Sequence, residues 1–159
     1  MIGMSDYRDT EFVIYSTDAE KFQSVIIGLL EKVYSSGKRC IFFSPIEDRL
    51  KVIDKALWTF STNAFIPHGD KKLGFRDKQP IYFTAECENP NAATVLMMVD
   101  SFDYSSWEGN FERILLVMNS ADKNKSQLEV VSGLQSDLQK KLKNVKYWEQ
   151  ASSGWTKVI

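Results

Sequence analysis

The first half of the chain alternates between strand-like and helix-like patterns of apolar residues. Residues 12–15 form a short β-type run, and over residues 22–33 the apolar positions recur at the spacing of an amphipathic helix. Residues 40–43 are apolar throughout, which is typical of a buried strand, and residues 50–57 repeat the helical spacing in a helix that ends around Trp58. Strand, helix, strand and helix in this order predict a parallel sheet with crossover helices.

Capping signals predict where these helices begin and end. Thr17 stands three residues before a glutamate, which is the spacing of a capping box, and Ser44 repeats that spacing before the second helix. Pro45 then occupies the predicted first helical position, where a backbone N–H is not needed. Gly37 is placed to close the first helix in a left-handed conformation.

The second half continues with a loop, further strands and one helix. Residues 59–79 contain asparagine, proline and glycine at irregular spacing, so we expect a loop there. Strand-like runs resume at residues 80–85, 93–99 and 111–118. Asp122 or Asn124 opens a last helix, and a final short run covers residues 145–148. The apolar stripe of the last helix consists of Leu128, Val131, Leu134, Leu138 and Leu142.

These elements predict one α/β domain over residues 1–159, namely a Rossmann-like three-layer sandwich with a mostly parallel sheet. A chain of 159 residues is long enough to build one hydrophobic core, and no repeat or linker divides it. Residues 1–10 are polar, and we expect them to form a flexible N-terminal extension.

The composition excludes several classes of protein. The 20 lysines and arginines against 21 acidic residues give a formal net charge of −1, which excludes a strongly basic nucleic-acid coat protein. The apolar runs at residues 25–30 and 114–118 are too short to span a bilayer, so we expect no membrane partner. No secretory signal opens the chain, and Cys40 and Cys87 fit reduced thiols, so we expect a cytoplasmic protein.

The sequence carries no motif for nucleotide binding or catalysis. The two strand-to-helix turns have Asp18 and Pro45 where a phosphate-binding turn has glycines, so the sheet lacks a nucleotide-binding glycine motif. No nucleophile elbow of the Gly-x-Ser-x-Gly type is present. His68 is the single histidine, and orienting a turn by bonding Asp70 or the backbone is a sufficient role for it. Its spacing from the two cysteines does not match a metal site, so we expect no metal and no cofactor.

An aromatic cluster at the end of the second predicted helix stands out from this background. Trp58, Phe60 and Phe65 fall within eight residues, although loops are normally polar because they run over the surface. Such aromatic residues either cap the core or form a patch that binds another protein. The residue pattern leaves both interpretations open.

The same segment resembles the chi subunit of bacterial DNA polymerase III holoenzyme. The hallmark reads Ile-Asp-Lys-Ala-Leu-Trp at residues 53–58 and Asn-Ala-Phe-Ile-Pro-His at residues 63–68. The likeness continues in order at residues 12–15, 34–39, 79–81, 111–114 and 146–150, and at Gly154 with Trp155. It therefore covers nearly the whole chain.

The resemblance implies a non-catalytic accessory subunit of the clamp-loader assembly in DNA replication. Chi proteins pair with a psi subunit and grip the C-terminal tail of single-stranded-DNA-binding protein, so contact with nucleic acid is only indirect. The psi or clamp-loader surface implied here contains Trp58 and Phe65, and the neighbouring Ile66, Pro67 and His68 complete it. Burying two aromatic rings at such a patch contributes roughly 1.5–3 kcal/mol each.

The tail-binding site of the family departs from its usual pattern in this sequence. The family uses a basic and an aromatic residue on the last helix, and the matching positions here are Ser132 and Gln135. A shifted site is suggested by the cations at Lys140, Lys141 and Lys143. The alternative is that these lysines only offset the dipole at the end of the helix.

Two other functions remain as alternatives. The first is a small nucleotide- or phosphate-using enzyme on a Rossmann-like sheet, which the missing glycines disfavour. The second is a direct binder of single-stranded DNA that stacks bases on Trp58, Phe60 and Phe65. A stacking site needs a cationic groove, whereas the charges around these rings nearly cancel; they belong to Asp54, Lys55, Asp70, Lys71 and Lys72.

Overall fold

The computed structural model describes residues 9–59, 67–70, 75–107, 111–121, 125–137, 144–151 and 154–158, with side chains except at 135–137 and 151. Eight strands lie in it: β1 (Glu11–Thr17), β2 (Cys40–Phe43), β3 (His68–Asp70), β4 (Ile81–Thr84), β5 (Val95–Val99), β6 (Arg113–Asn119), β7 (Val145–Ala151) and β8 (Gly154–Lys157). Three α-helices accompany them: α1 (Phe22–Ser35), α2 (Glu47–Thr59) and α3 (Lys125–Asp137). No helix in the described ranges is long and apolar enough to cross a bilayer.

The strands form a single sheet in the order β3-β4-β2-β5-β6-β1-β7-β8. Every neighbouring pair is parallel except β7 and β8, which form an antiparallel hairpin. The registers are regular; Phe12 of β1, for example, pairs with Ile114 of β6 and with Val145 of β7. The predicted Rossmann-like, mostly parallel α/β sheet is therefore confirmed.

Two cores lie on the two faces of this sheet, because alternate residues of each strand point to opposite sides. On one face, Phe42 and Val95 pack with α1 and α2, which bury Ile26 and Ile53; we call it the α1/α2 face. On the other face, strand residues pack with Val131 of α3 and with the segment between β5 and β6. Helices above and below one sheet give three layers.

The predicted ends of the helices are only partly correct. Gly37 has a φ of +80° and its N–H bonds to the Tyr34 carbonyl, so the left-handed end of α1 is confirmed. The capping box at Thr17 is wrong, because Thr17 belongs to β1 and the Asp18 carboxylate accepts the N–H of Lys21, the residue that precedes α1. Pro45 lies before α2 and not inside it; the Ser44 hydroxyl accepts the N–H of Ile46 instead.

Three other expectations differ from the structure. The loop predicted over residues 59–79 contains a three-residue strand, β3, at the edge of the sheet. Leu128 is exposed and not part of the buried stripe of α3, because Gln127, Val131 and Leu134 occupy the inward positions at i, i+4 and i+7. Leu138 and Leu142 lie outside the described residues. Residues 1–8 also lie outside the described residues. Thr10, in the predicted N-terminal extension, is buried, and its hydroxyl donates a hydrogen bond to the Phe111 carbonyl at 2.7 Å.

Candidate functional site

The last turns of α2 and the edge strand β3 bring together two residues of the predicted partner surface, Trp58 and His68, and a third residue, Asp54. Asp54 and Trp58 are four residues apart on α2, so their side chains lie on the same side of the helix. His68 begins β3 and pairs with Ile81 of β4, which directs its side chain to the α1/α2 face. The side chains of Asp54 and Trp58 therefore both reach His68.

His68 is held from three sides. Its side chain is fully buried, and its Nε2 atom lies 2.8 Å from Oδ1 of Asp54. Its ring lies 4.9 Å from the Trp58 ring and 5.3 Å from the Phe83 ring, measured between centroids. Phe83 is a buried residue of β4, so His68 connects Trp58 to the core of the sheet.

Trp58 is left half exposed by this arrangement. It is 50% exposed, while the ring on which it packs, His68, has no exposed side-chain surface. A large ring that packs on a buried support has a defined orientation in the free protein, so a partner that binds it loses little side-chain entropy. Trp58 thus packs on a buried residue with one side and is open to a partner on the other, so both interpretations that the sequence left open apply to it.

An acidic cavity of about 200 Å³ adjoins these residues, between α2 and the ends of β3 and β4. Five carboxylates and one cation line it; they belong to Asp54, Glu47, Asp70, Glu86, Glu88 and Lys51. The Tyr82 hydroxyl, also in its lining, donates to the Glu88 carboxylate. Burial, together with that hydrogen bond, raises the pKa of Tyr82 to about 12, so this phenol stays protonated at neutral pH. Arg76 pairs with Glu88 at 3.8 Å, so the described lining of the cavity carries an excess of acidic groups but is not without cations.

The remaining residues of the predicted partner surface are placed only in part. Pro67 is partly buried at the start of β3. Phe65 and Ile66, like Phe60, lie outside the described residues. The contact between Trp58 and His68 shows that the two parts of the sequence hallmark, residues 53–58 and 63–68, meet at their last residues.

The predicted tail-binding residues are also placed only in part. Ser132 is exposed on α3, and Leu128 lies one turn before it, also exposed. The side chain of Gln135 is not described, and the three lysines lie outside the described residues; these are Lys140, Lys141 and Lys143. Lys125 of α3 pairs with Glu129 at 4.0 Å.

Enzyme-like chemistry finds little support among the described residues. The Asp18 carboxylate occupies the start of α1, where a phosphate would have to bind. Cys40 is buried, and burial raises the pKa of its thiol to about 12, so it is not an activated nucleophile. Within the described ranges, no group of three or more His, Cys, Asp or Glu side chains is arranged to hold a metal ion.

Sequence analysis missed Asp54 as a member of the site. It proposed Asp70 or the backbone as the partner of His68, whereas the structure places the Asp54 carboxylate 2.8 Å from Nε2. The available signal was the spacing of four residues between Asp54 and Trp58 on a predicted helix. The contact itself required knowing that β3 exists and runs beside β4.

Comparison with known proteins agrees with the sequence hallmark. Over residues 9–129 the chain matches the family described as DNA polymerase III chi subunit, HolC. The "Probable DNA polymerase III subunit chi" of Rickettsia prowazekii (strain Madrid E) is 40% identical over 93 residues, which are 58% of this chain and 56% of that protein. The match to that relative thus spans little more than half of its length. The family match covers most of the chain, and it contains the Trp58–His68 hallmark, so this chain belongs to the DNA polymerase III chi subunit family.

Proposed function

We propose that this chain is a non-catalytic accessory subunit of the DNA polymerase III clamp-loader assembly in the cytoplasm. In this role it links the loader, through a psi-type partner, to single-stranded-DNA-binding protein. Membership of the chi family supports a part in DNA replication. The observation that carries the partner surface is Trp58, half exposed and packed on a buried histidine.

The exposed half of Trp58 is large enough to anchor a protein partner. An aromatic side chain buries 150–250 Å² in full, so the 50% that remains exposed amounts to about 100 Å². Covering that area contributes about 2.5 kcal/mol, which corresponds to about 70-fold in the dissociation constant. In this proposal Phe65 adds a second ring to the same surface.

The charge beside Trp58 favours a protein partner over single-stranded DNA. Asp54, which contacts the histidine on which the indole packs, lines a cavity together with four further carboxylates and one cation, Lys51. A phosphate backbone is repelled by such a surface, whereas a lysine or arginine of a protein partner is attracted to it. We therefore assign the aromatic cluster to a protein with basic residues near its apolar contact.

This proposal is tested by immobilising the chain and measuring how tightly it captures the purified clamp loader together with its psi-type subunit. We expect Trp58→Ala to weaken capture by about 70-fold, because the exposed half of the indole is lost. Val52→Ala is the matched control, since Val52 is a 49% exposed apolar residue of the same helix. Equal capture by the wild-type chain and Trp58→Ala, or no capture by the wild-type chain, would show that the proposal is wrong.

A further inference from the structure

The two edge strands of the sheet, β3 and β8, differ in how well they are protected against pairing with another strand. β3 has three residues and starts directly after Pro67, and a short strand next to a proline is a poor template for a further strand. β8 consists of four exposed residues, contains no proline and pairs with β7 in an uninterrupted register. Among the described strands none lies beyond β8, so the outer side of its backbone is open to a further strand.

The hydrogen bonds of the β7–β8 hairpin determine which residues of β8 face outward. The N–H of Val158 bonds to the Tyr147 carbonyl at 2.7 Å. In an antiparallel pair, alternate residues direct both their N–H and their C=O toward the neighbouring strand. Val158 and Thr156 therefore face β7, whereas Trp155 and Lys157 direct their backbone groups away from it.

The side chains of Trp155 and Lys157 lie on one face of the sheet, because residues two apart on a strand share a face. The Trp155 ring packs edge-to-face with the Tyr15 ring at a centroid distance of 5.6 Å and is still 40% exposed. Lys157 is exposed as well. The open edge therefore carries one aromatic ring and one cation, each on a residue whose backbone faces outward.

We propose that β8 pairs antiparallel with β8 of a second copy of this chain, so that the two sheets join into one. With the two-fold axis at Thr156, Trp155 of each copy lies opposite Lys157 of the other. Each of these two pairs exchanges two backbone hydrogen bonds, which satisfies the outward N–H and C=O groups of both residues. Each pair also brings a lysine ammonium within reach of an indole, since the Cβ atoms of opposite residues are about 4.5–5.5 Å apart. The inference goes beyond the function proposed above and does not depend on it.

The side chains of the edge favour a second copy over a strand of another protein. In this register the ring and the cation of one edge complement the same two groups on the other, so the edge is complementary to itself. A two-fold axis at Lys157 would instead place two ammonium groups opposite each other, and their repulsion disfavours that register. The alternative role for Lys157 is protective, because an edge lysine commonly prevents pairing. The two roles predict opposite effects when the lysine is replaced.

Sedimentation equilibrium of the full chain in reducing buffer, from about 2 to 200 µM, tests the proposal. An edge contact this short buries less than the roughly 1,200–2,000 Å² of a stable interface, so we expect a dimer with a dissociation constant of about 10–100 µM. Lys157→Pro removes an outward N–H that the β7–β8 hairpin does not use, so this variant should fold and remain monomeric. Lys157→Gln should weaken the dimer by about tenfold, because both cation–π pairs are lost. If Lys157 protects the edge, the same variant dimerises more tightly and the proposal fails.

Disulfide trapping tests the register. The background is Cys87→Ser, since Cys87 is exposed and Cys40 is buried. Thr156 would face its own copy in a pair without hydrogen bonds, where the Cα atoms are about 4.5 Å apart, and disulfides need about 4.4–6.8 Å. Mild oxidation should therefore convert Thr156→Cys to a covalent dimer. Val52→Cys, at an exposed position of α2, is the matched control and should stay monomeric.

A further control separates this edge from the Trp58 surface. Trp58→Ala should dimerise as the wild-type chain does, because Trp58 packs on His68 of β3, at the opposite edge of the sheet. The proposal is overturned if the wild-type chain is monomeric at about 200 µM, whether its edge then stays free or accepts a strand of another protein. A dimer that persists in Lys157→Pro, or equal trapping of Thr156→Cys and Val52→Cys, overturns it as well.

Discussion

The contact between Trp58 and His68 yields a stability prediction that can be worked out from the structure. His68→Ala removes ring contacts with Trp58 at 4.9 Å and with Phe83 at 5.3 Å, each worth about 0.5–1.5 kcal/mol. It also removes the contact with the half-exposed Asp54 carboxylate. Because water can replace His68 at that carboxylate, the net loss in the free energy of unfolding is about 1 kcal/mol. We expect a total loss of about 3 kcal/mol in the free energy of unfolding. In a chain of 159 residues this lowers the melting temperature by about 6–12 °C.

A double-mutant cycle isolates the part of this loss that belongs to Trp58. Urea unfolding of Trp58→Ala, His68→Ala and the double variant should give a coupling energy of about 1 kcal/mol, which is the worth of one ring contact. The control pairs His68→Ala with Val52→Ala. Val52 lies on the same helix but six residues, or about 9 Å along the helix axis, before Trp58, whose ring contacts His68. Its coupling should stay within about 0.3–0.5 kcal/mol of zero.

Partner capture links this cycle to function. If His68 orients the indole, His68→Ala should weaken capture of the clamp loader at a temperature where the variant is still folded. The reasoning is refuted by a coupling energy below about 0.3 kcal/mol, because the rings would then contribute nothing to each other. It is also refuted if His68→Ala captures the partner with wild-type affinity, since the support of the indole would then be irrelevant.

Further predictions concern the pH dependence of stability, the role of Phe65, the tail-binding lysines and nucleotide binding. Burial disfavours the ionised form of Glu11, but hydrogen bonds and charges from Lys146 and Arg113 outweigh it and lower its pKa. Glu11→Gln should therefore cost about 1 kcal/mol in unfolding titrations at neutral pH, and this difference should vanish as the pH falls through the lowered pKa. Phe65→Ala should abolish clamp-loader capture and lower the melting temperature by only a few degrees. If this variant unfolds instead, Phe65 is a core residue and not part of the partner surface. The tail peptide of single-stranded-DNA-binding protein should bind weakly, in a salt-sensitive manner, and should lose binding when glutamine replaces Lys140, Lys141 and Lys143. Calorimetry with millimolar ATP or NAD should give no saturable heat, and a micromolar dissociation constant would contradict this.

The sequence predicts most of the sheet because its strands are strong local signals. The β2 run at residues 40–43 is apolar throughout, and a strand buried on both faces requires just that pattern. The edge strand β3 reads His-Gly-Asp, has three residues and carries no apolar run, so no local pattern reveals it. Its pairing with β4 decides its conformation, and that pairing depends on the rest of the sheet.

The candidate site was predictable as a set of residue types but not as a geometry. The aromatic residues and His68 stand out in the sequence, whereas the role of Asp54 depends on a contact across fourteen residues of chain. The buried face of α3 could likewise be predicted only in part from the sequence. Val131 and Leu134 are buried as predicted, but Gln127 and not Leu128 completes their face, and apolar spacing alone does not decide between these two neighbours.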